Sequence, residues 1–342
     1  MKFAFFQDLS VDDAVELVSP AFFGLDIGVA ENGLGVTEGV RVDQFDTGGV
    51  TSRALALAHR VAADPGYLAV VIAPFWTLPA AVAIVFADAG LPVVSLSPDG
   101  VPRVSGGTSR ELVPPQAVQA RVLAKVLDGA ASTGGVCLGT DPAPYSGSLS
   151  AQVSADISVP VLARFDMRGG GSVGPIVDLV RSAGCSTVAW IGFPRGASLI
   201  RDGLTAAGFG DVRLVGPDSM KTLSYIQRLG RDGTLVTCPC QDVTTSPQFQ
   251  AEQLVHDYQV VTGLEPGIYA AEAWDAAGMM MTALNAGAST RPLLREAIGR
   301  VSSYAGVART YGFASDGSLE ASAPVGVFRS EGVRWLAVDG RG

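Results

Sequence analysis

The feature that most constrains the fold is one stretch, residues 68–100, LAVVIAPFWTLPAAVAIVFADAGLPVVSLSPDG. Its first six residues form a short β-branched apolar run, the pattern of a strand buried on both faces. Pro74-Phe75-Trp76-Thr77 breaks the run. Thr77 then stands as the N-cap, with Pro79 in the first turn, of an Ala-rich helix over about 78–89. Gly90 stops the helix, and 91–96 is the next buried strand. A strand that feeds a helix through a tight loop puts the Thr77 hydroxyl and unpaired backbone N–H groups at a helix N-terminus, a ready place for a carboxylate or other anion. In an open parallel sheet such places lie at the carboxyl ends of the strands, where ligands bind. The plainer reading leaves Thr77 as a cap and nothing more.

The rest of the chain repeats this alternation. Residues 3–6 read as the first strand, and Ser10 with Asp13 resembles a capping box for a helix to about 30, made irregular by Pro20. Residues 33–39 read as a turn region, 40–45 as a strand and 52–63 as a helix. Between Pro102 and Ser109 the text turns to Gly, Ser and Thr, as in a crossover. A second series follows: helix 115–127, strand 135–139, a loop 141–147 carrying Tyr145, helix 148–157, strand 159–165, helix 172–183, strand 187–191, helix 195–207 and strand 212–215. Gly216-Pro217-Asp218-Ser219 closes that strand, and 234–238 is another. Helices return at 248–262, 268–286 and 291–301, before a tail with a hairpin over 325–329 and 333–338. Regular alternation of this kind means parallel sheets covered by helices, and 342 residues are enough for two lobes rather than one core. The fold class is therefore α/β, with two Rossmann-like lobes.

Composition excludes several functions. The net charge is −9 with no basic cluster, which argues against nucleic acid as a partner. No apolar run reaches the ~18 residues of a membrane span. The opening MKFAFFQDLSVDD reads as a strand rather than a signal peptide. The chain is thus either cytoplasmic or follows a leader that has been removed. Cys137, Cys185, Cys238 and Cys240 do not make a disulfide-rich framework. Cys238-x-Cys240 lacks further metal ligands at useful spacing, with His59 and His256 the only histidines, so small buried or hinge cysteines are expected. No cofactor or metal is expected.

Three motifs bear on chemistry. Gly169-Gly170-Gly171-Ser172-Val173-Gly174 fits a dinucleotide loop, but the acid such a loop wants about 20 residues on is absent. It also fits a nucleophile elbow at Ser172, without a histidine nearby in sequence. A loop with Ser172 capping a helix explains it as well. Glu272, Trp274 and Asp275 lie in YAAEAWDAAGMMM, where Met and Ala speak for packing, although Trp274 near the helix start is placed to line a cleft. Asp218 follows a buried strand and a Gly-Pro turn, so it stands at a strand's carboxyl end as Thr77 does. A carboxylate and a helix N-terminus together suit an α-amino acid zwitterion; a turn-forming Asp is the alternative.

The order of these pieces resembles the type I solute-binding proteins of the leucine/isoleucine/valine-binding group of ABC importers. VVIAPFWTLPAAVAIVFADAGLPVVSLSP, YAAEAWDA and YGFASDGSLEASAPVGVF carry the resemblance, which runs over almost the whole chain. It implies two lobes joined by a three-strand hinge, with crossovers near 105–109, 238–244 and 305–310. Lobe 1 would be 1–106 plus 245–305, and lobe 2 would be 107–244 plus 306–342. It implies a ligand clamped between the lobes by hinge closure. By position, Thr77 and Ser97 would meet a ligand carboxylate, and Asp218 its ammonium. Tyr145 and Phe193 would be cleft aromatics, and Trp76 and Trp274 would shape the side-chain pocket. Gln7-Asp8-Leu9-Ser10 lacks the group's usual Ser-Gly pair, so the ligand need not be a branched-chain amino acid; another amino acid, an amide or an aromatic carboxylate fits as well. The expected function is non-enzymatic: an extracytoplasmic protein, periplasmic or lipid-anchored, delivering a small ligand to a membrane permease. A cytoplasmic ligand sensor of the same fold is the alternative.

Overall fold

Phe3, Ala4, Phe5 and Phe6 are wholly shut from solvent, so β1 (Lys2–Gln7) sits at the centre of a sheet covered on both faces. The structure is a computed structural model that describes residues 1–338 apart from 12, 33–38, 132–133, 168–170, 229–230, 232, 245, 247–248 and 321. Along the chain, β1 is followed by α1 (Ala14–Asn32), β2 (Arg41–Asp46), α2 (Thr51–Ala63), β3 (Tyr67–Ile72), α3 (Ala80–Asp88), β4 (Val93–Ser95) and β5 (Ser109–Glu111). Next come α4 (Gln116–Ala130), β6 (Val136–Thr140), α5 (Pro144–Asp156), β7 (Val161–Asp166), α6 (Gly174–Ala183), β8 (Thr187–Ile191), α7 (Pro194–Ala206), β9 (Arg213–Gly216), the short α8 (Leu223–Ile226) and β10 (Leu235–Cys238). The chain then runs through α9 (Phe249–Thr262), α10 (Ala270–Asn285), α11 (Arg291–Arg300), β11 (Ser303–Ala305) and β12 (Thr310–Gly312), and ends in the hairpin β13 (Gly326–Glu331) and β14 (Arg334–Ala337).

These elements form two units. The first comprises Met1–Pro115 and Cys240–Pro324, and the second Gln116–Pro239 and the segment from Val325 onward. The first unit's sheet has the order β2-β1-β3-β4-β5, all parallel. Between its strands and helices α2 and α3, Phe6 stacks on Phe45 and Trp76 and meets Phe86 edge-on. On the helix side, α1 and α10 approach closely because α1 presents glycines. A Cβ on Gly24 would fall 2.2 Å from the Ala270 carbonyl oxygen, and one on Gly28 2.8 Å from the Ala277 Cβ. Helix α10 is buried nearly all round, which is why its sequence is mostly Ala, Met and Trp.

The second unit's sheet has the order β14-β13-β10-β9-β8-β6-β7, parallel except for the antiparallel terminal hairpin. Its core gathers Leu123, Leu127, Val136, Leu138, Leu149, Val153, Ala189, Ile191 and Val215 from α4, α5 and the central strands.

Several sequence expectations shift. Residues 107–115, 240–244 and 306–324 fall in the first unit, not the second. The reasons are local: β5 pairs with β4, and α10 carboxylates bond the backbone of Gln241, Val307 and Ala308. Helix α3 begins at Ala80 with Pro79 as N-cap, so Thr77 is not the cap; the proline disfavours helical geometry in Leu78 before it. Tyr145 lies in the first turn of α5, opened by Pro144, and not in a loop. Ser10 donates to Asp8 rather than capping α1. Ser172 is exposed and Val173 holds the N-cap of α6; Gly169 and Gly170 lie outside the described residues. The cysteines are not free: Cys137 and Cys185 form a disulfide, and Cys238 and Cys240 are disulfide-bonded as well.

Candidate functional site

Strand order fixes where each unit can bind something. In the second unit β6 has β7 on one side and β8 on the other, so the connections leaving β6 and β8 part company and open a crevice at their carboxyl ends. In the first unit the same reversal falls between β1 and β3.

The second unit builds a polar cluster at that end. Asp218 follows β9 and is buried, and two side-chain donors converge on one oxygen of its carboxyl group. The Tyr145 hydroxyl donates to Oδ1 at 2.6 Å, and Gln119 Nε2 donates to the same oxygen at 2.5 Å. Gln119 also reaches the Thr237 carbonyl at 3.3 Å. Burial first, and then the Asp218 charge, push the Tyr145 phenol well above its ordinary value, so it stays a proton donor. Phe193, after β8, packs its ring 6.2 Å from that of Tyr145. Asp141, after β6, accepts the Phe193 N–H at 2.9 Å, and Trp190 Nε1 donates to the Phe193 carbonyl at 3.0 Å. The Ser219 hydroxyl bonds the Gly192 carbonyl at 2.7 Å, tying the loop after β9 to the loop after β8. The structure thus brings together Tyr145, Phe193 and Asp218. Gln119 and Asp141 belong with them and were not singled out in the sequence. Asp141 carries a signal, its place just after a strand; Gln119 carries none, because it lies in the first turn of α4, 99 positions away from its partner.

In the first unit the expected residues take different places. Thr77 is exposed on the segment between β3 and α3. Leu78 N–H donates to the Gly100 carbonyl at 2.8 Å, which joins the segment after β3 to the one after β4. Ser97 is buried in that second segment. Its N–H donates to Ser95 Oγ at 3.1 Å, so its backbone amide is already engaged. Trp76 lies in the core against Phe6, and Trp274 packs with Ile27, Leu254 and Tyr258 on the α9 and α10 side. The aromatic surface at the β3 end comes instead from Phe75, which the sequence reading passed over. Phe75 is half-buried with φ +62°, and its ring meets edge-on that of Tyr269, the N-cap of α10, which has φ +61°. Left-handed backbone in two aromatic residues is strained geometry of the kind that persists where surroundings impose it.

Glu272 and Asp275 serve structure. Glu272 Oε1 accepts Gln241 N–H at 2.8 Å and faces Arg309 Nη2 at 3.3 Å, and Arg309 Nη1 donates to the Pro324 carbonyl at 3.2 Å. Asp275 accepts Val307 N–H, Ala308 N–H and the Tyr311 hydroxyl at 2.6, 2.9 and 2.7 Å. Among the described residues, no group of His, Cys, Asp and Glu is arranged to hold a metal ion, and no helix is long and apolar enough to cross a membrane.

Residues 28–332 match the family model described as periplasmic binding protein. A search of curated proteins gives no match. Solved structures similar to this chain include LivJ, a branched-chain amino acid substrate-binding protein of Streptococcus pneumoniae in complex with isoleucine. It has a TM-score of 0.84 and 16% identity over 99% of both chains. The leucine-binding protein LivK of Thermotoga maritima has a TM-score of 0.81 and 17% identity over 99% of this chain and 97% of its own. An ABC transporter substrate-binding protein of Desulfitobacterium hafniense in complex with Leu has a TM-score of 0.74 and 18% identity over 99% of both.

Proposed function

We propose, from the premise that this chain belongs to the periplasmic binding protein family, that it captures a small amino-acid-like ligand and hands it to the membrane permease of an ABC importer. It is a solute-binding protein, not an enzyme; the work is done by differential affinity, because a ligand shifts the chain toward whichever conformation binds it better. The observation that carries the ligand class is Asp218. Tyr145 and Gln119 orient its carboxyl group at the carboxyl end of the sheet, and a carboxylate held there is the group that suits a ligand ammonium. Thr77 and the Ser97 hydroxyl, at the carboxyl ends of β3 and β4, are the partners proposed for the ligand carboxylate. The Phe75–Tyr269 pair and Phe193 supply apolar walls.

An extracytoplasmic location accords with the family and with the cysteines, all four of which are disulfide-bonded; such bonds persist in oxidising compartments. That observation favours the transport reading over a cytoplasmic sensor.

A thermal-shift screen with amino acids, amides and carboxylates tests the proposal. A ligand at ~100 times its Kd adds about 2.7 kcal/mol of stability. An α-amino acid hit is expected, with affinity falling by about 2–5 kcal/mol in Asp218→Ala. Hits confined to acids lacking the amine would remove Asp218 from the site.

A further inference from the structure

Four cysteines and two bonds leave one pairing. Cys137 is bonded to Cys185, none of the four is a thiol, and Cys238 and Cys240 are each disulfide-bonded, so they are bonded to each other. The bond closes a ring over a single intervening residue, Pro239. That ring stands where the chain passes from the second unit to the first, since Pro239 ends one segment and Cys240 begins the next. Its two sides are anchored separately. Cys238 is the last residue of β10 and pairs with Gly326 of β13. Beyond the ring, Gln241 N–H donates to Glu272 Oε1 at 2.8 Å, and the Gln241 side-chain amide donates to the Cys240 carbonyl at 3.3 Å.

Between those anchors the backbone can turn only about the bonds beside Pro239. The pyrrolidine fixes one torsion, and the disulfide ring closes over the rest. A connection bends because a few of its residues absorb large φ/ψ changes, and here the ring takes that freedom away. Global stability does not account for it. A disulfide constrains the unfolded chain more for longer loops, and one intervening residue constrains it far less than the 48-residue separation of Cys137 and Cys185. The two bonds also differ in how a reductant reaches them. All four cysteines are buried, so a thiol enters only through an opening of the structure. Cys137 lies within β6, paired with β7 on one side and β8 on the other, and opening there disrupts the sheet. Cys240 lies past the end of β10, in neither strand nor helix, where local opening takes less free energy.

We propose that Cys238-Pro239-Cys240 is a redox-sensitive joint: the closed ring holds this connection rigid, and reduction by a small dithiol loosens it. The dithiol gives two electrons and two protons, the S–S bond breaks to two thiols, and the dithiol leaves as its own cyclic disulfide. In an oxidising compartment the ring stays closed. The joint is a property of the connection itself and does not depend on which ligand the protein carries.

The test treats the full chain with graded dithiothreitol, traps thiols with iodoacetamide, maps the labelled peptides by mass, and follows amide hydrogen exchange. Without reductant neither Cys238 nor Cys240 should take the label. As dithiothreitol rises, both should be labelled while Cys137 and Cys185 remain unlabelled. Exchange across residues 240–244 should then rise about tenfold or more, with β1 and β8 unchanged. The paired Cys238→Ala and Cys240→Ala substitutions should reproduce that exchange without reductant and melt close to the unsubstituted chain. Labelling of Cys238 or Cys240 without reductant overturns the proposal. So does reduction of both bonds together, or exchange across 240–244 that is the same with the ring open and closed. Should the paired variant fail to fold, the dithiothreitol series on the unsubstituted chain decides the matter alone.

Discussion

Asp275 shows how much one side chain carries in this fold. Three donors converge on its carboxylate, yet burial outweighs them and pushes its pKa up to about 7; Glu272, one turn away, is raised as well, again mainly by burial. A carboxyl whose folded pKa lies above its unfolded value binds more protons folded than unfolded between the two. Its contribution to stability therefore weakens as pH climbs from about 4 to about 7. The protein should melt at higher temperature near pH 5 than near pH 8, and Asp275→Asn should flatten part of that slope. The variant should also lose about 2–3 kcal/mol, because an amide cannot accept from three donors as a carboxylate does. Calorimetry across that pH range checks both, and an unchanged slope would remove Asp275 from the account. At the site, Tyr145→Phe should leave melting nearly intact and weaken an ammonium ligand by about 1 kcal/mol, read by titration calorimetry. The sequence places Tyr145 and Asp218 near strand ends because each follows a buried strand in a parallel sheet; their roles toward a ligand belong to the proposal. Trp76 was misleading for a related reason. It also follows a strand, but it takes the core side of the turn while its neighbour Phe75, in left-handed backbone, faces Tyr269.

At the scale of elements, the long apolar strands and the glycine-stopped helices were readable because burial dictates their residues. Short elements were not. Strands β5, β11 and β12 span three residues each, too few for a period to register, and each exists through its pairing with another segment. Helix α3 starts later than a Thr77 cap would place it, because the proline two residues after Thr77 sets the boundary. Helix α10 is the element on which most of the first unit depends. Its face toward α1 is set by glycines, so Gly24→Ala should force the helices apart against backbone at α10. A loss of about 1–3 kcal/mol is expected, a typical overpacking cost. Its other face carries Glu272, and Arg309→Met would leave that carboxylate buried without its cation. That change should cost about 3–5 kcal/mol, more than Gly24→Ala, and denaturant titration of the two variants side by side tests the ranking.

Taken whole, the chain interleaves two units, each assembled from distant segments. The first unit cannot complete its packing until α10 arrives some 240 residues after α1, which is a topology of long-range contacts. The second unit has a different safeguard, the bond between Cys137 and Cys185, which no spacing rule distinguishes in a chain with four cysteines. Cys137 lies in the first half of β6 and Cys185 just before β8, so the disulfide staples adjacent strands at their amino ends. Asp218, Tyr145 and Phe193 stand at the carboxyl ends of the same sheet. On the proposed site, stability and recognition are therefore separable. Closing a loop of 48 residues constrains the unfolded chain by about 4 kcal/mol. The paired Cys137→Ala and Cys185→Ala substitutions should lower the second unit's stability by that order. Hydrogen exchange in β1 and α10 should stay unchanged, and so should ligand affinity at a temperature where the variant remains folded. Hydrogen exchange and calorimetric titration on the same variant measure both halves. If affinity fell in step with stability, the amino-end staple would be holding the carboxyl-end loops in place, and the two ends of the sheet would have to be treated as one mechanical unit.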